Sequence, residues 1–122
     1  RLESDIYEVT AAAARGELAS VDVKWSSIAA AGVVMAPGGY PGRYETGHPI
    51  SGLESVDADV MVFHAGTRLE GGRVVTSGGR TLTVVALGKT IREARERAYD
   101  NVRRIHFKDA HYRTDIALEA AE

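Results

Sequence analysis

Two glycines followed by an arginine, Gly78-Gly79-Arg80, are the residues of this chain best suited to holding a small anion. Bare peptide units let a ligand approach main-chain N–H groups, and a guanidinium adds a bidentate, charge-assisted fork that matches phosphate. The same three residues also suit a hairpin turn followed by a solvated arginine, and residue types alone leave both readings open. A second candidate is the glycine- and proline-rich loop around Gly38, Gly39, Tyr40, Pro41 and Gly42. Its glycines could serve consecutive turns or line a site, and Tyr40 could stack on a ligand or plug a gap. His64, Gly66 and Thr67 form a third candidate at the end of an apolar run. There the imidazole could donate to an anion or a substrate hydroxyl, or simply be hydrogen-bonded at the edge of a core.

Other chemistries find little support. The four histidines (His48, His64, His106 and His111) share no metal-ligand spacing, so no metal site is expected. There is no nucleophile elbow, no paired carboxylates flanked by apolar residues, and no Gly-x-x-x-x-Gly-Lys-Ser/Thr phosphate loop. From residue types the chain reads as a binding domain with glycine-lined loops.

The elements that must position these loops are legible in outline. Ser4-Asp5 can cap a helix to about Arg15, with Glu8 at capping-box spacing and Gly16 where a C′ glycine belongs. Leu2, Ile6, Val9 and Ala13 form a stripe that should lie against other structure. Val21, Val23 and Trp25 alternate as a short strand would. Ile28 to Ala36 is a continuous apolar run before Pro37, the pattern of a fully buried strand, and Val60 to His64 is another. Residues 37–55 form a long polar segment, which inside a compact domain is usually functional. A hairpin is expected around Gly71-Gly72, and Arg80 to Leu87 is the clearest strand. Thr90 and Glu93 make a capping box opening a helix to about Ile105, with Ile91, Ala94, Ala98, Val102 and Ile105 buried. Arg92–Glu96 and Glu93–Arg97 are i,i+4 pairs on what should be its wet face. A last short helix is expected from Ile116 to Ala121. Strands grouped centrally with helices at both ends indicate an α+β fold with a mostly antiparallel β core.

Bulk properties narrow the function. At 122 residues the chain is one domain, with 44% apolar and 26% charged residues, as ordinary globular proteins have. A net charge of −2 gives no bulk electrostatic support for a nucleic-acid or anionic-membrane partner. Without cysteine there is neither a disulfide framework nor a thiolate metal site. No run of about 18 apolar residues suggests a transmembrane helix, and no signal peptide is visible. The chain opens on Arg1, so a piece of a longer polypeptide is expected, with a cytoplasmic location as the default.

The motifs also carry a resemblance. Gly32-Val33-Val34-Met35-Ala36-Pro37-Gly38-Gly39-Tyr40-Pro41-Gly42, with Tyr44 and Gly47, is similar to the C-terminal domain of phosphoribosylamine–glycine ligases (glycinamide ribonucleotide synthetases). The likeness continues through Val62-Phe63-His64-Ala65-Gly66-Thr67, Val75-Thr76-Ser77-Gly78-Gly79-Arg80 and Val85-Ala86-Leu87-Gly88 to Ile105-His106. The opening Arg1-Leu2-Glu3-Ser4-Asp5 resembles the family's sequence just after its ATP-binding domain. Pro37, where such ligases often have a small residue, and Arg43 and Glu45, in a variable stretch, depart from the pattern. The resemblance implies a parent of the ATP-grasp superfamily acting in de novo purine biosynthesis. With ATP and Mg²⁺ such a ligase activates glycine as an acyl phosphate, which the amine of 5-phosphoribosylamine attacks to give glycinamide ribonucleotide, ADP and phosphate. It implies a core of barrel-sandwich hybrid type with flanking helices. It places the nucleotide and metal ligands, and all catalytic groups, in preceding domains, leaving this fragment inactive alone. Carried over, Gly78, Gly79 and Arg80 would meet the substrate phosphate. His64, Gly66 and Thr67 would line the adjoining wall, and Gly38, Gly39, Tyr40 and Pro41 would form the facing loop. The other reading is a stand-alone, non-catalytic binding module of the same fold. A carrier of that kind needs a lysine on a hairpin tip, and Lys24, Lys89 and Lys108 are all elsewhere.

Overall fold

The computed structural model describes residues 1–121. Its centre is a three-stranded antiparallel sheet in the order β1-β5-β2, where β1 is Ala29–Met35, β2 is Met61–His64 and β5 is Leu82–Gly88. Strands β3 (Thr67–Glu70) and β4 (Arg73–Thr76) form a separate hairpin that turns at Gly71-Gly72, both with positive φ. The α+β class and antiparallel pairing stand as expected, but the strands do not close into a barrel.

One helix makes the core. Along β5 buried and half-buried residues alternate, as a strand with one covered face requires. Leu82, Val84 and Ala86 point with Ala31, Val33 and Met35 of β1 into α2 (Ile91–Val102), which supplies Ala94, Ala98 and Val102. All but Ala31 and Val33 of these nine residues have no solvent exposure. Small alanines on both layers let helix and sheet approach closely, and each fully buried Leu or Val adds roughly 1.5–3 kcal/mol. Ile105 and Phe107 continue the core after the helix has ended.

The expectation of fully buried strands is corrected by this arrangement. Strand β1 alternates too, leaving Val34 41% exposed, and on β2 Met61 and Phe63 are 39% and 54% exposed. The sheet is covered on one side only. The first helix, α1 (Ile6–Arg15), begins and ends as expected: Asp5 accepts from the Tyr7 and Glu8 amides, and Gly16 terminates it at φ 73°. Its stripe, however, is largely open, with Ile6 62% exposed and only Ala12 buried. Residues 21–25 form no strand, merely one bridge between Trp25 and Leu2. The last helix shrinks to a 3-10 turn at Glu119–Ala121, because Ala117 at φ 56° lies outside helical backbone space.

The arginines of α2 also depart from the expected wet face. Arg97 pairs with Asp59 and the Leu87 carbonyl, and Glu93 accepts from the Lys89 amide instead of meeting Arg97. Arg95 donates to the Thr114 and Ile116 carbonyls while lying 4.7 Å from the centre of the Tyr99 ring. Just beyond the helix, Arg104 reaches the Ser55 carbonyl and Asp57. These guanidiniums sew the loops to the helix.

Beside them sits Asn101, wholly buried. Its amide donates to Asp57 at 3.1 Å and to the Arg97 carbonyl at 2.9 Å, while its oxygen accepts from the Asp57 amide at 2.8 Å. Asn101→Ala removes this clip from the interior and should cost about 1–3 kcal/mol of stability. Urea unfolding of the variant against the parent chain measures the loss. A change within error would show the clip to be dispensable.

Candidate functional site

The site is built where two turns cross. The turn after β2 runs beside the segment leading into β5: the Ala65 amide donates to the Thr81 carbonyl and the Gly66 amide to that of Arg80. In return the Ser77 and Gly78 amides donate to the Gly66 carbonyl, at 2.7 and 3.1 Å. The crossing leaves no room for side chains. A methyl group on Gly66 would lie 2.7 Å from the Gly78 Cα and 2.8 Å from the Arg80 carbonyl oxygen. Thr81, fully buried, closes the turn through its hydroxyl on the Gly78 carbonyl at 3.2 Å.

Tyr40 covers this crossing from the other side. A methyl group on Gly79 would fall 2.3 and 2.5 Å from two Tyr40 ring carbons and 3.2 Å from the Tyr44 ring, so both aromatics rest on the bare Gly79 peptide. The two rings stand 6.0 Å apart at 59°, a tilted pair. Three of the expected groups are therefore neighbours: the 64–67 turn, the 78–80 turn and the Tyr40 loop. His64 and Thr67 are joined through Nδ1 and Oγ1 at 3.0 Å.

The placement also redistributes the expected roles. Gly78 has spent its amide on Gly66, and Gly79 lies under Tyr40, so the turn is less open than its residue types suggest. The donors left are the Gly79 and Arg80 amides, which give no backbone hydrogen bond among the described residues, and the Arg80 guanidinium. Arg80 is exposed and forms no ion pair or hydrogen bond through its side chain among the described residues. Gly38 faces away from this corner, where a methyl group would lie 2.6 Å from the Asp109 Cβ. Pro41 is exposed.

Gly38 instead borders a cleft of about 370 Å³ with Tyr44, Glu45, His48, Lys108 and Asp109 that the sequence did not announce. Glu45 bridges two of its residues, 2.6 Å from Lys108 Nζ and 3.2 Å from His48 Nε2. The Lys108 hydrogen bond and charge, then His48, hold the Glu45 carboxyl below the usual carboxylate range. Glu45 in turn raises the Lys108 ammonium. Glu45 and Lys108 are too distant in sequence for spacing to connect them. Only Tyr44, through its place beside the Tyr40 loop, carried any signal.

Residues 30–119 match the family described as Phosphoribosylglycinamide synthetase, C domain. The chain belongs to that family. It is 50% identical over 121 residues to phosphoribosylamine–glycine ligase of Allochromatium vinosum, covering 98% of this chain and 28% of that ligase. The chloroplastic ligase of Arabidopsis thaliana is 49% identical, with 98% of this chain and 23% of the relative covered. A crystal structure of phosphoribosylamine–glycine ligase from Thermotoga maritima superposes with a TM-score of 0.65 at 39% identity, over 72% of this chain and 22% of the other. The chain thus spans between about a fifth and a third of the length of these relatives.

In this C domain no group of three or more His, Asp or Glu side chains is placed to hold a metal ion among the described residues. Among the described residues no helix is long and apolar enough to cross a membrane.

Two predictions test how the C domain holds its loops. Gly79→Ala should cost about 1–3 kcal/mol, because the Tyr40 ring must move. Most of that cost should vanish in a Tyr40→Ala background, which a double-mutant cycle by urea unfolding reads directly. Additive effects would mean the ring and the glycine are independent. The second concerns pH. Since the folded-state pKa of Glu45 is depressed, its tie is complete above the unfolded carboxyl value of about 4.3 and is lost as pH falls through the lower folded value. For Lys108 the folded value is raised, so the tie holds below about 10.4 and fails only above it. Hydrogen exchange at residues 43–48, corrected for intrinsic rates, should therefore rise as the pH falls below about 4.3 in the unsubstituted chain, and Glu45→Gln should abolish that rise.

Proposed function

We propose that this chain is the C-terminal part of a phosphoribosylamine–glycine ligase of purine biosynthesis, and that its Gly79–Arg80 corner receives the phosphate of 5-phosphoribosylamine. In the parent, glycine and 5-phosphoribosylamine are joined with ATP consumed to ADP and phosphate. ATP and Mg²⁺ are held by a preceding ATP-grasp domain, and the enzyme works in the cytoplasm. Half the residues of this chain are shared with a ligase of that name.

The observation that carries the site is the exposed Arg80 guanidinium, without a partner among the described residues, beside its own uncommitted backbone amide. A phosphate there gains a bidentate fork and a main-chain donor without displacing any internal partner. Fixing those donors before the ligand arrives lowers the ordering cost of binding, and the Gly66–Gly78 crossing supplies that rigidity. His64 and Thr67, already bonded to each other, form the adjoining wall and can present a donor to the sugar. Tyr40 acts by pinning Gly79, with Gly39 and Pro41 carrying the loop that brings it there. Gly38 is left to the neighbouring cleft.

Arg80→Ala in the full-length ligase tests this. Losing one charge-assisted contact costs about 1.5–3 kcal/mol, on the order of ten- to a hundred-fold in kcat/KM for phosphoribosylamine, with KM for ATP little changed. A collapse of ATP affinity with phosphoribosylamine kinetics untouched would remove Arg80 from the phosphate site.

A further inference from the structure

At the joint between the central sheet and the β3–β4 hairpin, the last residue of β2 and the first of β3 share a hydrogen bond. His64 Nδ1 and Thr67 Oγ1 lie 3.0 Å apart. The turn between them does not need it. Its backbone is already fixed by the Ala65 amide on the Thr81 carbonyl, the Gly66 amide on that of Arg80, and the Ser77 and Gly78 amides on the Gly66 carbonyl. His64 is exposed, so the bond rescues no buried polar ring either. What it does fix is the imidazole. With Nδ1 held, Nε2 is left as the free end of the ring, without a partner among the described residues. The ring also stands near the phosphate corner. His64 pairs with Leu82 and the Gly66 amide meets the Arg80 carbonyl, so His64 and Arg80 are diagonal neighbours across two antiparallel segments. Such neighbours are about 7–8 Å apart, within reach of long side chains, and a single sugar phosphate can bridge them.

We propose that His64 Nε2 binds a ring hydroxyl of the ribose in phosphoribosylamine, and that Thr67 is the positioning residue that holds the imidazole for it. The inference rests on the ligase reading above and deepens it, by assigning the pair to one group of the substrate. The chemistry of the bond selects a hydroxyl. In a neutral imidazole one nitrogen donates and the other accepts. When the Thr67 hydroxyl donates to Nδ1, Nε2 carries the hydrogen and donates. When Nδ1 donates to the hydroxyl, Nε2 accepts. A phosphate or carboxylate oxygen only accepts, so it fits one of these two states. A sugar hydroxyl donates and accepts, and it fits both. The phosphate has its own fork at Arg80, so the pair serves to tell ribose from deoxyribose more than to anchor the substrate.

Sugar amines formed from ammonia and ribose 5-phosphate, 2-deoxyribose 5-phosphate or 3-deoxyribose 5-phosphate test this in the full-length ligase. His64→Phe keeps a ring and loses both nitrogens. It should lower the kcat/KM preference for ribose over one of the deoxy sugars by about two- to ten-fold relative to the unsubstituted enzyme, the value of one neutral hydrogen bond. Comparing the two enzymes cancels differences in how much of each amine forms. Thr67→Val keeps the shape and loses the hydroxyl. It should remove most of the same preference through KM for the sugar amine, with KM for ATP little changed. Thr67→Ser keeps the hydroxyl and loses the methyl, and it should restore the preference. A Thr67 that only packs gives the opposite order, with Val tolerated and Ser impaired, and that result overturns the proposal. So does a preference that survives His64→Phe. Turnover of the ribose amine with either of those results removes the sugar contact and leaves the ligase reading. An unsubstituted full-length protein that joins glycine to none of the amines removes the ligase reading, and this inference with it.

Discussion

Everything at the candidate site depends on two backbones passing closer than a methyl group permits. Gly66 and Gly78 meet edge to edge, with the Gly78 amide on the Gly66 carbonyl and the Gly66 amide on that of Arg80, and this contact joins the central sheet to the β3–β4 hairpin. Because it is made of main chain only, it has few internal degrees of freedom and loses little entropy when a ligand arrives. Gly79 follows directly, and the Tyr40 and Tyr44 rings seal its exposed side. Glycine at these positions is a matter of space, since a hydrogen is all that fits. The result is a rigid corner from which Arg80 projects.

A second layer of organisation is electrostatic. Long stretches between the strands contain no regular structure, and arginines hold them. Arg95 and Arg104 each satisfy a loop carbonyl, Arg97 holds Asp59 while capping the Leu87 carbonyl of β5, and Asp57 is kept ionised chiefly by its hydrogen bond to Arg104, then by Asn101. Single exposed pairs of this kind contribute little to stability. Their effect is to choose one loop path among many, and buried Asn101 makes that choice costly to reverse. Glu45 does the same for the 37–48 loop against residues near Lys108.

Local signals in the sequence are honoured by the structure. Asp5, Gly16, Thr90 and the Gly71-Gly72 turn carry their information within a few residues, and each lies where its pattern placed it. The errors share one physical cause. Apolar runs at β1 and β2 report that a strand wants two covered faces, and they cannot report which covers belong to this chain. In the same way Arg97 was assigned a helix neighbour when a residue from another loop, Asp59, competes better. At the site, the sequence named the turns that meet. It did not show that Gly78 would use its amide internally, or that Glu45 and Lys108, far apart in sequence, would shape a cleft beside Gly38.

The register of β1 has a consequence for how the chain is made. Ala29 pairs with Gly88, and β1 has no other strand beside it. At translation rates of about 5–20 residues per second, roughly three to twelve seconds separate the synthesis of these two partners. Throughout that interval the nascent Val33, Val34 and Met35 have neither a strand to pair with nor a helix to cover them, while the β3–β4 hairpin can already form within microseconds. Birth order therefore puts the most apolar strand first and its shelter last. In the growing polypeptide the segment most exposed to misassociation is the one that later leads into the Tyr40 loop.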